Sequence, residues 1–187
     1  MKIENYTPAE IERRSFEIIE EELGRELDPM QKPIIKRVIH TTADFSYADT
    51  LCFSDGAVEA GLAALREGCD IVTDTNMGKS GINKTRLAQY GGEVHCFMAD
   101  EDVAKEAKSR GTTRAVISME KSATLGKDVI YAIGNAPTAL IRLYELIAEG
   151  KIHPKLIIGV PVGFVNVVEA KELIMTADVP YIVARGR

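Results

Sequence analysis

Tryptophan is absent from this 187-residue chain, and aromatic residues make up only 6% of it. Stacking surfaces for single-stranded nucleic acid are therefore not advertised. A net charge of −5 likewise excludes a non-specific grip on a phosphate backbone. Cys52, Cys69 and Cys96 are widely spaced and form no Cys-x-x-Cys pair. They read as buried thiols of a reducing cytoplasm, not as a disulfide frame or a zinc site. No apolar run is long enough to span a bilayer, and residues 1–7 contain no signal-peptide core, so a cytoplasmic chain without a membrane partner is expected.

Several familiar motifs are missing too. Gly78-Lys79-Ser80 has the tail of a phosphate loop, but the position of its first glycine holds Thr73, which excludes a Walker A motif. No Gly-x-Gly-x-x-Gly follows an apolar run, and no Gly-x-Ser-x-Gly marks a hydrolase nucleophile. His40, His95 and His153 have neither the HExxH pattern nor helical ligand spacing, so no metal centre is expected.

What is present is an ordinary globular composition, 45% hydrophobic and 27% charged, at a length that suits one domain, residues 1–187. Residues 8–23 carry apolar side chains at helical spacing and stop at Gly24, and residues 29–40 repeat the pattern. Residues 45–54 read as an irregular aromatic loop, followed by a helix over 56–65 closed by Gly68. From Asp70 onward strands and helices alternate. Strands are predicted at 71–73, 93–98, 114–118, 129–133, 156–160 and 181–184. Helices are predicted at 83–90, 101–110, 121–125, 139–147 and 166–175, with polar loops at 74–81 and 161–164. The expected fold is an α/β domain, doubly wound around a mainly parallel sheet, with a helical amino-terminal region.

The chain is organised around Ile133-Gly134-Asn135-Ala136-Pro137-Thr138, a strand, a tight turn and a helix start. Asn135 suits an N-cap, and Pro137 falls in the first turn, where its missing N–H removes no helical bond. Free N–H groups at such a start favour an anion. His40 stands beside small hydroxyl residues at a helix end, and its ordinary pKa near neutrality suits proton transfer. Arg86, Arg114 and Arg185 could bind carboxylates bidentately. Ser15, in the first helix, is expected to back-bond to a carbonyl one turn earlier. A nucleotide-binding α/β enzyme using the helix start for phosphate is a competing reading, weakened by the missing glycine fingerprints.

The segments Arg14-Ser15-Phe16, Arg37-Val38-Ile39-His40, Gly81-Ile82, Arg86-Leu87, Thr113-Arg114, residues 132–140, residues 159–165 and Arg185-Gly186-Arg187 together resemble the precorrin-8X methylmutase family of cobalamin biosynthesis. The resemblance implies a flavodoxin-like homodimer that moves a methyl group from C11 to C12 of precorrin-8X or cobalt-precorrin-8, giving hydrogenobyrinic or cobyrinic acid. It implies no cofactor, because the methyl group is already on the corrinoid substrate. His40 would be catalytic. Ser15, Met77, Asn83, Arg86, Arg114, Asn135, Ala136, Pro137, Thr138, Gly163, Phe164 and Arg185 would bind substrate. The family pattern continues beyond Arg187 with a glycine-rich tail that this chain is expected to lack. A corrinoid carrier or sensor of the same fold, without turnover, is the alternative.

Overall fold

The computed structural model describes residues 6–187, which fall into two compact units divided between Leu51 and Cys52. In the first unit, α1 (Pro8–Leu23) and α2 (Lys32–Thr42) form a hairpin, followed by the single turn α3 (Tyr47–Thr50). Thr7 and Glu10 make a reciprocal capping box at the start of α1, and Gly24 ends it in the left-handed region. Glu12 pairs with Arg37 at 2.6 Å, and Glu20 pairs with both Lys32 and Lys36. Early α1 thus meets late α2 and late α1 meets early α2, so the two helices run antiparallel. Ile19, Ile35 and Ile39 are buried between them.

The second unit is built on a six-stranded sheet: β1 (Leu51–Phe53), β2 (Asp70–Thr73), β3 (Val94–His95), β4 (Val129–Ile133), β5 (Leu156–Gly159) and β6 (Tyr181–Ala184). Their order is β1-β6-β5-β4-β2-β3, and the pairs β2–β3, β2–β4, β4–β5 and β5–β6 are all parallel. Counted from β2, the strands β3-β2-β4-β5-β6 have the 2-1-3-4-5 order of a flavodoxin-like sheet, with β1 added beyond β6. The order reverses between β2 and β4, and the crevice outside their carboxyl ends is where such folds bind ligands.

Helices α4 (Ala57–Arg66), α7 (Glu101–Arg110), α8 (Arg114–Ser122), α9 (Pro137–Ala148) and α10 (Val167–Ile174) flank the sheet, and α5 (Asn76–Gly81) and α6 (Lys84–Ala88) are short. Val129, Tyr131 and Ile133 point to one face of β4, where they join Met119 of α8, Leu140 and Leu143 of α9 and Ile174 of α10 in one core. The other face receives α4, whose Gly61 lies so near Leu156 that an added Cβ would come within 2.8 Å of it. Deleting a side chain such as Leu140 or Leu143 from this core would cost about 2–5 kcal/mol.

The structure departs from the sequence reading at five places. Residues 114–118 are helical, not a strand: Ala115, Ser118, Met119 and Ser122 form a buried helical stripe that Val116 and Ile117 disguise. The proposed helix at 121–125 is thereby reduced to the end of α8 and the turn after it. The loop at 45–54 contains α3 and β1, and the loop at 74–81 contains α5, capped by the Thr75 side chain on the Gly78 N–H. The strand expected over 93–98 keeps ladder pairing only at Val94 and His95.

Candidate functional site

At the carboxyl edge of the sheet, β2 runs into Asp74 and β4 into Gly134. Asp74 is 1% exposed. Its Oδ1 accepts a hydrogen bond from the Gly134 N–H at 2.9 Å, and its Oδ2 accepts from Asn135 at 2.8 Å and Ala136 at 2.6 Å. The N–H groups of the turn that leads into α9, residues 134–136, are therefore occupied from within the chain, not free for an external anion. Asn135 is not the N-cap either. That position is Ala136, which has no side-chain acceptor to offer. Asp74 supplies the acceptor instead, from sixty residues upstream.

Other predicted residues of this unit follow strands at that edge in smaller sets, whereas Asn83 and Arg86 belong to α6, whose end packs near Gly68 before the amino end of β2. Thr138, in the first turn of α9, is hydrogen-bonded to Thr113, the N-cap of α8, at 3.1 Å. This joins the α9 start to Arg114, the first residue of α8, which reaches toward the Met98 carbonyl. Pro137 is half-buried as the first residue of α9. Gly163 lies in the β5–α10 loop with φ +155°, and a Cβ there would sit 3.0 Å from Val167. Asn166, with φ +57°, turns the chain into α10.

Met77 and Phe164 are each 86% exposed, and Val162 and Val165 accompany Phe164 into solvent. Exposed apolar side chains that follow the strands at one edge, Met77 in α5 and the other three in the β5–α10 loop, mark a binding surface more than a packing defect. The Arg187 guanidinium lies 5.5 Å from the Phe164 ring centroid. Arg185, at the β6 exit, makes a bidentate pair with Glu172, at 2.9 and 2.7 Å, which raises its pKa and keeps it cationic. Asn83 caps α6 by accepting from the Arg86 N–H, and the Arg86 side chain is exposed.

His40 and Ser15 belong to the first unit. His40 lies in the last turn of α2, its ring tilted against Phe16 with centroids 5.3 Å apart. Phe16 also has the Arg37 guanidinium 4.8 Å from its centroid. Ala43, the residue directly after α2, closes the helix at φ +55°, a conformation uncommon for alanine, and donates to the Ile39 carbonyl. Ser15 Oγ donates to the Ile11 carbonyl at 2.7 Å, the back-bond anticipated for it.

Cavity size does not lead to this chemistry. A groove of about 660 Å³ within the first unit is lined by Glu12, Glu17, Glu20 and Glu21 together with Arg13, Lys36, Arg37 and Phe16, a mixed lining whose cations are already paired with its carboxylates. A cavity of about 240 Å³ at the amino end of β4 is lined by Lys127, Lys151 and His153 and is small for a macrocycle.

The family model described as CbiC, precorrin-8X methylmutase, matches residues 10–187. This chain belongs to the precorrin-8X methylmutase family. It is 46% identical over 181 residues to the cobalt-precorrin-8 methylmutase of Priestia megaterium, an alignment covering 96% of this chain and 80% of that one. It is 38% identical over 181 residues to the precorrin-8X methylmutase of Pseudomonas aeruginosa, covering 95% and 86%. The crystal structure of the precorrin-8X methylmutase from Thermus thermophilus superposes with a TM-score of 0.87 at 43% identity, covering 96% and 87%. The methylmutase fold is thus the fold described above, and Asp74 is the buried polar residue of its switch point that sequence reasoning missed. Both halves of the signal were visible: an aspartate directly after a buried strand, and a helix start with donors to satisfy.

Proposed function

We propose that this chain moves the methyl group of a precorrin-8-type corrinoid from C11 to C12 of ring C, in cobalamin biosynthesis. It is an isomerase, an intramolecular methylmutase. One C–C bond breaks at C11 and one forms at C12, so atoms balance without a co-reactant. The observation that carries this reading is the family match across residues 10–187, on a sheet whose carboxyl edge presents Met77 and Phe164 to solvent instead of burying them.

The substrate is a flat apolar ring with a rim of acetate and propionate groups. Met77 and Phe164 suit the ring; Arg86 and Arg114 suit the rim, and Arg185 would reach it only with the Nη1 edge that its pair with Glu172 leaves over. Asn83, Thr138 and the backbone of Asn135, Ala136, Pro137 and Gly163 complete the proposed contacts of the second unit; Ser15 is proposed separately as a substrate contact. His40 is the proposed acid: by donating to the conjugated system it stabilises charge that develops as the methyl group migrates, help worth about 10²–10⁴-fold. The chain 1–187 is proposed to act as one cytoplasmic catalytic domain, paired in a homodimer.

Absorption titration of the purified protein with hydrogenobyrinic acid and with cobyrinic acid tests the site. Tight stoichiometric binding of one or both is expected, and the preferred one identifies a metal-free or cobalt-containing substrate. Absence of binding to either would refute the assignment. His40→Ala is expected to lower kcat by about 10²–10⁴-fold while product binding changes little. Turnover at the unaltered rate would remove His40 from the mechanism.

A further inference from the structure

Asp74 has a role that helix capping alone does not require. A twelve-residue helix such as α9 could be capped by a serine or aspartate at its own N-cap, yet that position is Ala136. The acceptor comes instead from the exit of β2, and it ties the two strands that flank the switch point. In sheets of this order the same place usually receives the anionic group of a ligand. Here it holds a buried carboxylate, and the roughly half-unit positive charge of a helix start offsets only part of that negative charge. A substrate carboxylate cannot enter the N–H cradle without displacing Asp74.

We propose that Asp74 is a positioning and selectivity residue of the corrinoid site, an inference that rests on the function proposed above. Its carboxylate fixes residues 134–136 in the form that presents the exposed Asn135 side chain and, one turn on, Thr138. It also closes the central anion cradle, so that the acidic rim of the substrate is directed to the flanking Arg114 and Arg185. The ring then settles over the apolar Met77 and Phe164 in one orientation, not in several that differ by which carboxylate is anchored.

The test uses the full chain with Asp74→Ala and Asp74→Asn, sodium formate as the probe, and sodium chloride at equal ionic strength as control. Formate is a carboxylate small enough for the opened cradle. At about 100 mM it is expected to raise the unfolding temperature of Asp74→Ala by roughly 3 °C or more and that of the unaltered protein by less than about 1 °C. Without formate, Asp74→Ala is expected to bind hydrogenobyrinic acid about tenfold or more weakly, and formate should restore the affinity to within about threefold. Asp74→Asn fills the space but offers one acceptor oxygen and turns an amide NH₂ toward the donors. It should bind weakly and ignore formate.

Corrinoid binding of either folded variant at the unaltered affinity would overturn the proposal, as would a loss in Asp74→Ala that formate does not relieve. If Asp74→Ala folds only when formate is present, the cradle assignment is supported, and Asp74→Asn then decides the selectivity role. If the unaltered protein binds no corrinoid, the proposed function fails. The formate response of the unfolding temperature still reports on the cradle, so the two failures are distinguishable.

Discussion

Two aspartates sit at opposite ends of β2. Asp70 opens the strand and Asp74 follows its last residue; they are 2% and 1% exposed. The satisfaction of each is different in kind. Asp70 is held mainly by side chains: His95 Nε2 at 2.9 Å and Lys127 Nζ at 3.3 Å, with the Glu93 N–H at 2.9 Å. Asp74 is held only by backbone N–H groups among its recorded hydrogen bonds. The amino end is thus a knot of mutually compensating charges that fixes β2 against the edge strand β3. At the carboxyl end a fixed charge meets fixed dipoles, and the apolar loops around it remain open to solvent. A buried carboxylate is costly wherever it lies. The partners show what the cost obtains: anchorage of a sheet edge in one case, the shape of a binding edge in the other.

The contrast can be broken most sharply at Asp70. Asp70→Asn is expected to lower stability by about 2–3 kcal/mol, because the buried end of β2 loses the charge that holds the mostly buried His95 and, more weakly, the half-exposed Lys127. For a chain of this size that is roughly 4–12 °C in unfolding temperature, measurable by calorimetry. Corrinoid affinity should stay within about twofold; a larger change would mean that the two ends of β2 are not functionally separate.

The complementary test is at the open edge. Phe164→Ala is expected to weaken corrinoid binding about tenfold and Met77→Ala somewhat less, by loss of apolar contact. Unfolding temperatures should move by less than about 1 °C, since both side chains are almost wholly exposed. A stability loss with unaltered binding would assign these residues to packing.

The smallest effect is one of pH. Burial pushes the Asp70 carboxyl up, but the His95 hydrogen bond, the Glu93 N–H and Lys127 outweigh it and hold the pKa below its ordinary value. A depressed folded-state pKa contributes stability that is present above about pH 4 and is lost as pH falls through the lowered value. The gap in unfolding temperature between the unaltered protein and Asp70→Asn should therefore narrow as pH falls below about 4. A gap independent of pH would show that the Asp70 charge contributes nothing to stability.

The sheet was largely legible because buried parallel strands leave continuous apolar runs, as in residues 129–133 and 156–159, and because α9 repeats its buried positions at Ala139, Leu140, Leu143 and Leu146. Helix α8 was misread because its buried stripe includes two serines. Ser118 and Ser122 are satisfied inside the protein, by Met98 Sδ and by the Met119 carbonyl with the Tyr131 hydroxyl. A serine in the core looks polar in a sequence and behaves as a small packed residue once its hydroxyl has a partner. Elements of three to six residues such as β1, α3 and α5 carry too few positions to display a period. For the site, residue types were readable but pairings were not. Nothing local in Asp74-Thr75-Asn76 says that its acceptors serve donors sixty residues away, and nothing around Thr113 names Thr138.

The ends of the sheet carry one more implication. Its longest strand, β4, lies inside, whereas the outermost strands β1 and β3 span three and two residues. An edge so short offers almost no row of unpaired peptide groups for a second chain to extend. Strand-to-strand extension of this sheet is therefore a poor route to self-association, and side-chain surfaces on its helices and loops are the better one. Its resistance to strand-templated aggregation is set by where the strands stop, independently of how stable the fold is.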